Sequence, residues 1–205
     1  TKDGSTLSSY WTADSMALAP DDEHVLVFDK YISLETGEPK ITLDVAAALE
    51  KGRPNPQALD ISPNGRLCLM LVRSFSAGEH NALALFDLDT GALIHARKTG
   101  ETVVNAVFAS DNQLAVSYLD GSAILIEDLK GTLVAGVGTH GTRPNPPFGG
   151  IVFAGSGAKR AIAVYDLNRV CAFDLTTQKL LFRGQSHRNV AAMAKSPWIV
   201  YQTLN

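Results

Sequence analysis

The feature that most constrains this chain is an internal repeat of 40–50 residues that occurs four times. Each copy has a short apolar stretch, a tight polar turn, a second apolar stretch, and then an apolar run that ends in an acidic residue and another turn. Asp87, Asp128 and Asp174 hold this acidic position in successive copies and lie 41 and 46 residues apart. A period of this length indicates a chain built from similar supersecondary units rather than from one unrepeated core.

The turns between the apolar stretches are typical of β-hairpins. In Ser62-Pro63-Asn64-Gly65 the proline suits a turn and Asn-Gly tolerates positive φ, and the triplets 89–91 and 35–37 end their runs in the same way. The apolar runs are five to eight residues long and rich in Val, Ile, Leu and Phe, as strands are. Only residues 44–50 look helical, for one or two turns. Four short antiparallel strands per unit predict an all-β chain made of the blades of a β-propeller.

Short motifs in the repeat resemble those of WD40-like and quinoprotein-like propellers. Residues 62–65 and 19–22 match the SPDG turn of these proteins, and Leu85-Phe86-Asp87-Leu88 and residues 172–175 match their VWDL strand end, with Gly91 following as in their TG turn. The resemblance covers nearly the whole chain and implies a propeller fold. No blade keeps the Trp-Asp pair, and the Gly-His dipeptide survives only as Gly184-Gln-Ser-His187, so no subfamily is assigned. Propellers include both binding proteins and enzymes, so the resemblance does not settle the function.

The repeat predicts a single propeller domain over residues 1–205. We place the blades at 16–57, 58–105, 106–150 and 151–190, with half-blades at 1–15 and 191–205. If the two half-blades pair, they complete a fifth blade and remove two open sheet edges. The alternative is part of a ring of six to eight blades, whose remaining blades lie on the same or another chain. We expect the second arrangement slightly more, because neither terminus looks like a natural chain end.

Composition argues against several other classes of protein. A chain with 45% hydrophobic and 19% charged residues can bury a substantial core, so it is not disordered as a whole. Eighteen basic residues against 21 acidic ones give a net charge of −3, which argues against a nucleic-acid or membrane partner. Apolar runs such as residues 67–72 have the length of a strand and not of a membrane helix. Cys68 and Cys171 predict reduced core thiols, which favour a cytoplasmic location over a disulfide-forming compartment.

The candidate binding residues come from the loops that precede the first strand of each blade, which gather on one face of a propeller. Arg-Pro-Asn-Pro occurs in two of these loops, at residues 53–56 and 143–146. The candidate set is Arg53, Asn55, Asn105, Arg143, Asn145, His187 and Arg188. Guanidinium groups bind carboxylates and phosphates, so this face would capture an acidic peptide or an anionic ligand. The alternative is structural, because the prolines stiffen the connector and repeat duplication alone would copy it.

The other polar residues indicate structure rather than chemistry. The five histidines show no metal-ligand spacing. Asp60, Asp87, Asp128 and Asp174 stand at strand ends, where we expect their carboxylates to accept backbone N–H bonds in turns. Gly155-Ser156-Gly157 lies between two predicted strands and lacks the helix that follows a nucleophile elbow. We therefore expect no catalytic residue, no cofactor and no metal.

These observations predict a non-catalytic propeller scaffold that mediates protein–protein interaction as a module of a larger protein or complex. Two alternatives stay open. A metal-dependent hydrolase or lactonase-like propeller would need channel-facing acids from several first strands, and Asp60 is the one that the pattern identifies. A sensor domain would bind an anionic ligand through the arginine-bearing loops.

Overall fold

The computed structural model of the chain describes residues 16–49, 52–74, 81–99, 103–118, 123–138, 150–154, 161–165, 169–174, 179–185, 190–192 and 199–201. They fall into two compact units, Thr1–Gly100 and Glu101–Asn205. The regular elements of the described residues are short strands and one 3₁₀ helix, which confirms the prediction of an all-β chain. Within the same residues, no helix has the length and apolar character needed to cross a membrane.

The first unit contains two four-stranded antiparallel sheets, in which each strand pairs with the next along the chain. Sheet 1 consists of β1 (Met16–Leu18), β2 (His24–Val27), β3 (Lys30–Ser33) and β4 (Pro39–Thr42). Sheet 2 consists of β5 (Pro54–Ile61), β6 (Leu67–Ser74), β7 (Ala82–Asp87) and β8 (Leu93–Lys98). The 3₁₀ helix Val45–Ala48 lies between the two sheets in sequence, within the segment where a short helix was predicted.

The second unit repeats this arrangement. Sheet 3 consists of β9 (Val103–Ser110), β10 (Gln113–Tyr118), β11 (Ala123–Asp128) and β12 (Leu133–Gly138). Sheet 4 consists of β13 (Gly150–Ala154), β14 (Ala161–Tyr165), β15 (Arg169–Asp174) and β16 (Leu180–Gln185). The last pair, β17 (Val190–Ala192) and β18 (Ile199–Tyr201), forms a two-stranded antiparallel sheet. The predicted pairing of residues 1–15 with the C-terminal half-blade lies outside the described residues.

Sheets 1 and 2 share one hydrophobic core. Its members include Ala17, Leu26 and Tyr31 from sheet 1, Ala58, Ile61, Cys68, Met70 and Phe86 from sheet 2, and Leu43, Val45 and Ala48 from the connection between them. Side chains alternate between the two faces of a strand, so the core uses one face of each sheet. In β7 all residues from Ala82 to Phe86 are buried, which means that sheet 2 is covered on both faces.

The same irregularity recurs between the third and fourth strands of all four sheets. The register shifts there by one residue, and one residue of the fourth strand is left without a partner. These bulge residues are Lys40, Ile94, Val134 and Leu181. In sheets 1 to 3 the bulge comes three residues after a turn glycine with φ of 74°, 75° or 86°. The sequence repeat is therefore also a repeat of backbone geometry, including a β-bulge that twists each fourth strand.

Candidate functional site

The first Arg-Pro-Asn-Pro copy lies at the start of sheet 2. Arg53 is exposed and directly precedes β5, whereas Asn55 is the second residue of that strand. The expectation that residues 54–56 form a loop is therefore wrong. The strand β5 is an edge of its sheet, and an edge strand accepts proline because half of its N–H groups have no partner in the sheet.

Arg73, which was not among the predicted binding residues, is the cross-strand partner of Asn55. Its side chain is exposed, like that of Arg53. We refer to Arg53, Asn55 and Arg73 as the Arg53 surface. This end of sheet 2 thus carries two exposed guanidinium groups, which suit carboxylate or phosphate. The sequence does contain a signal for Arg73 as a candidate. It directly follows the apolar run 67–72, which places it near the end of the strand that pairs with β5.

Of the other predicted binding residues, Asn105 is the one that lies within the described part of the chain. Asn105 is the third residue of β9 and pairs with Ser117, so it is also a strand residue rather than a loop residue. Arg143, Asn145, His187 and Arg188 lie outside the described residues. Whether the seven candidates share one face stays a prediction.

Asp87 and Asp128 behave as predicted, whereas the side chain of Asp174 lies outside the described residues. One carboxylate oxygen of Asp87, Oδ1, accepts hydrogen bonds from the backbone N–H groups of Asp89 (2.9 Å) and Thr90 (2.8 Å) and from the Thr90 hydroxyl (2.9 Å). In the next repeat, Oδ1 of Asp128 accepts from the N–H groups of Lys130 (2.9 Å) and Thr132 (2.8 Å). Bonds from Thr90 hold the pKa of Asp87 below its usual value, and the Thr132 N–H does the same for the pKa of Asp128.

Asp60, the acid on which a channel metal would depend, has a similar local role. Its Oδ1 accepts the backbone N–H of Ile61 at 2.9 Å. It stands next to a register shift in β5, between Ala58 and Asp60, so the strand is bulged at this point. The prediction that Asp60 stands at a strand end and serves a turn is therefore wrong, although its carboxylate does accept a backbone N–H.

A second polar cluster lies on the β1–β2 turn. The Asp21 carboxylate accepts the N–H groups of Glu23 (2.8 Å) and His24 (3.1 Å), and its other oxygen lies 2.7 Å from Nδ1 of His24. The His24 ring stacks on Tyr31, with ring centroids 5.0 Å apart. Burial alone would raise the pKa of Asp21, but these hydrogen bonds and the nearby imidazole lower it overall.

The same turn brings together three side chains that could each bind a cation, those of Asp21, Glu23 and His24. Their candidate ligand atoms lie within 4.8 Å of one another. Both Asp21 oxygens are already engaged in the turn.

Cys68, the second residue of β6, is a free thiol and is completely buried. Burial raises the pKa of its thiol to about 12, so the reactive thiolate is scarce near neutral pH. This confirms for Cys68 the prediction of a reduced core thiol. The side chain of Cys171 lies outside the described residues.

Exposed large hydrophobic residues occur on two of the fourth strands. Leu133 is 61% exposed and the bulge residue Val134 is 54% exposed, and we call this pair the β12 patch. Ile94, the bulge residue of β8, is 53% exposed. The strand β12 carries no charged residue, whereas β8 contains Arg97 and Lys98. The β12 patch was not anticipated from the sequence, because it follows from the bulge and from the edge position of β12.

Comparison with solved structures identifies the fold. The β-propeller domain of Cps50 (Swd1) from Myceliophteria thermophila matches with a TM-score of 0.58 and 15% identity, over 84% of this chain. The structure of U3-55K matches with a TM-score of 0.60 and 13% identity, over 88% of this chain. The fold is a β-propeller. This confirms the propeller prediction and, at the level of the fold, the resemblance to WD40-like propellers.

The β-propeller spans only part of the chains that it resembles, 56% of each of these two. A third match, the dihydro-heme d1 dehydrogenase NirN, has a TM-score of 0.49 and 13% identity over 84% of this chain and 37% of that one, and it carries no argument. No protein-family model matches the sequence. No curated protein matches it either.

Proposed function

We propose that this β-propeller is a non-catalytic module that binds partner proteins, as part of a larger protein or complex in the cytoplasm. The observation that carries the proposal is the β12 patch, where two large apolar side chains are more than half exposed. Natural edge strands are usually protected by charged residues or proline, and β4 and β8 follow this rule with Pro39, Lys40, Arg97 and Lys98. An edge strand with exposed apolar residues and no charge is typical of a surface that another protein covers.

The acids described above support a binding role over a catalytic one. Asp87 and Asp128 repeat by blade, and their carboxylates are held by N–H groups of their own turns. These bonds give Oδ1 of each carboxylate a structural role in its own turn. Asp60 also accepts a backbone N–H. The net charge of −3 supports protein rather than nucleic acid as the partner, and the free buried thiol of Cys68 supports a reducing compartment.

The experiment compares binding by two matched variants. Leu133→Glu combined with Val134→Glu puts charge on the β12 patch, and Ile94→Glu makes the same change at the equivalent bulge of β8. Partners are captured with the wild-type protein and quantified by mass spectrometry, and the affinity of the leading partner is then measured by calorimetry. We expect the β12 variant to bind at least about tenfold more weakly, a loss of about 1.4 kcal/mol, and the Ile94 variant to bind almost as the wild type does.

Two results would contradict this function. The first is that the β12 variant binds the partner with wild-type affinity, although both variants unfold at the wild-type temperature. The other is enzymatic turnover by the purified protein that Asp60→Asn abolishes.

The Arg53 surface favours a second candidate function, capture of an anionic ligand or an acidic peptide. Its two guanidinium groups are exposed at one end of sheet 2, where nothing in the described residues neutralises them by a salt bridge. Arg143, Asn145, His187 and Arg188 would add to this surface if the loops share a face as the repeat predicts.

A further inference from the structure

A buried carboxylate lies next to the β12 patch. Glu127 is the cross-strand partner of Leu133, so the two side chains are on the same face of sheet 3. Leu133 is 61% exposed, whereas Glu127 is 4% exposed. Glu127 has an interaction within the protein, and a carboxylate can accept several hydrogen bonds at once. The exposed apolar pair and a negative charge are thus immediate neighbours.

The equivalent position of the other sheets holds an apolar residue. In each sheet it is the third-strand residue that directly follows the register shift toward the fourth strand. This residue is Ile32 in sheet 1, Phe86 in sheet 2, Glu127 in sheet 3 and Phe173 in sheet 4. Ile32 and Phe86 are buried, as Glu127 is. Burial favours an apolar side chain and costs free energy for a carboxylate, so sheet 3 differs chemically from its repeats at this position.

Sheet 2 offers an internal comparison for the β12 patch. Ile94 is the bulge residue of β8 as Val134 is of β12, and the two are 53% and 54% exposed. The third-strand residue beside the bulge is Phe86 in sheet 2 and Glu127 in sheet 3. An exposed apolar bulge residue is therefore combined with a phenylalanine in one sheet and with a carboxylate in the other.

Further acidic residues lie at the end of sheet 3 where β12 begins. Asp128 ends β11, and its cross-strand partner Gln113 begins β10, so Asp111 in the preceding turn is at the same end. Over residues 103–118 and 123–138, the three acids Asp111, Glu127 and Asp128 against one base, Lys130, leave a net charge of −2. A buried carboxylate is screened by water and salt less than an exposed one, so its potential extends over the adjacent patch.

We infer that the partner segment at the β12 patch presents a lysine or arginine side chain beside Leu133, with apolar residues next to it. This inference rests on the proposed function, because it names the kind of partner that the same patch binds. The aliphatic stem of such a side chain packs on Leu133 and Val134, while its charged end points toward Glu127 and Asp128. A second copy of this chain fits poorly, because a self-complementary contact through β12 would bring the acids of both copies together.

Three synthetic peptides test the charge of the partner. They share one extended sequence of valine and threonine and differ at the central residue, which is lysine, norleucine or glutamate. Their affinities for the chain are measured by fluorescence anisotropy at two salt concentrations. We expect the lysine peptide to bind at least about tenfold more tightly than the glutamate peptide and several-fold more tightly than the norleucine peptide, with smaller differences at high salt. Equal affinities of the lysine and norleucine peptides, or no binding of the lysine peptide, would overturn the inference.

Two isosteric variants test which carboxylates provide the preference. Glu127→Gln and Asp128→Asn each remove a negative charge and keep an acceptor oxygen, and Asp87→Asn makes the matched change in the equivalent turn of sheet 2. The measured quantity is the ratio of the lysine and norleucine affinities, because loss of folded protein would lower both equally. We expect the ratio to fall several-fold in the first two variants and to stay at the wild-type value in Asp87→Asn. An unchanged ratio in both sheet 3 variants would also overturn the inference.

The proposed function and this inference fail in different ways. Leu133→Glu combined with Val134→Glu removes the apolar patch, so unchanged partner binding by that variant contradicts the proposed function. If that variant loses its partner but the norleucine peptide binds the wild-type chain as tightly as the lysine peptide, the patch binds proteins and the inference of a basic partner is wrong.

Discussion

Gly91 lies against Ile41 so closely that a methyl group on its α-carbon would sit 2.9 Å from Cγ2 of Ile41 and 2.9 Å from the carbonyl oxygen of Thr42. Its φ of 75° is a left-handed conformation that glycine adopts without penalty. The turn that follows β7 is thus pressed against β4 of the preceding sheet. Glycine is therefore needed here for two separate reasons, the left-handed φ and the close contact with β4.

We predict that Gly91→Ala destabilises the protein more than Gly65→Ala does. Gly65 has the same φ of 75°, but a methyl group there would meet no atom within 4 Å. Gly65→Ala should therefore cost only the left-handed backbone, about 1–2 kcal/mol. Gly91→Ala should cost at least about 1 kcal/mol more, because it also overpacks the contact with β4. Urea unfolding of both variants measures the difference, and equal losses would show that the contact yields without cost.

Stability should fall in acid because of the turn aspartates. The pKa of Asp87 is lowered in the folded protein by the bonds from Thr90, and its unfolded value is near 3.8. A lowered folded pKa contributes stability that is present above the unfolded pKa and is lost as the pH falls through the folded one. We expect the free energy of unfolding to drop between about pH 5 and pH 2, and to drop less in Asp87→Asn. Asp89→Asn, two residues away, is the control and should follow the wild type. The measurement is thermal unfolding over this range of pH.

Stability should also fall in alkali. Burial raises the pKa of Cys68 from 9.0 to about 12 and that of Tyr31 from 10.0 to about 12. A raised folded pKa contributes stability that is complete below the unfolded pKa and is lost as the pH rises toward the folded one. The loss should begin near pH 9 and should be less steep in Cys68→Ala than in the wild type. If both proteins lose stability at the same rate above pH 9, Cys68 is not the titrating group.

The Arg53 surface should bind anions weakly and in a salt-dependent way. We expect Arg53→Ala combined with Arg73→Ala to weaken binding of a polyglutamate peptide or inorganic phosphate several-fold, since each removes a charge-assisted contact. Lys98→Ala, which removes a positive charge from the exposed end of β8, is the control. Calorimetric titration at two salt concentrations gives both affinities. Equal binding by the double variant and the control would leave this surface without a role in anion capture.

The turns were predictable because their hydrogen bonds are local. Asp87 bonds to residues two and three positions ahead, so the acidic residue and the following Asp-Thr-Gly carry the whole motif in sequence. The same holds for Ser62-Pro63-Asn64-Gly65, in which Ser62 and Asn64 bond to each other and to the adjacent backbone. Local chemistry of this kind is visible in one short stretch.

The candidate binding residues were harder to place because their positions depend on pairing across the sheet. Pro54 and Pro56 look like loop residues until β5 is known to be an edge strand, where proline is tolerated. Arg73 becomes a neighbour of Asn55 only through the register of β5 and β6.

The repeated bulge gives this protein one variable position per sheet. A bulge residue makes no ladder pair, so its side chain can change without disturbing the neighbouring strand. The chain uses lysine, isoleucine, valine and leucine at the four equivalent positions, 40, 94, 134 and 181. Surface chemistry can therefore diverge from blade to blade while the hydrogen-bonded framework stays constant, and positions 40, 94 and 134, whose side chains are exposed, are natural places to graft a new recognition residue or a label.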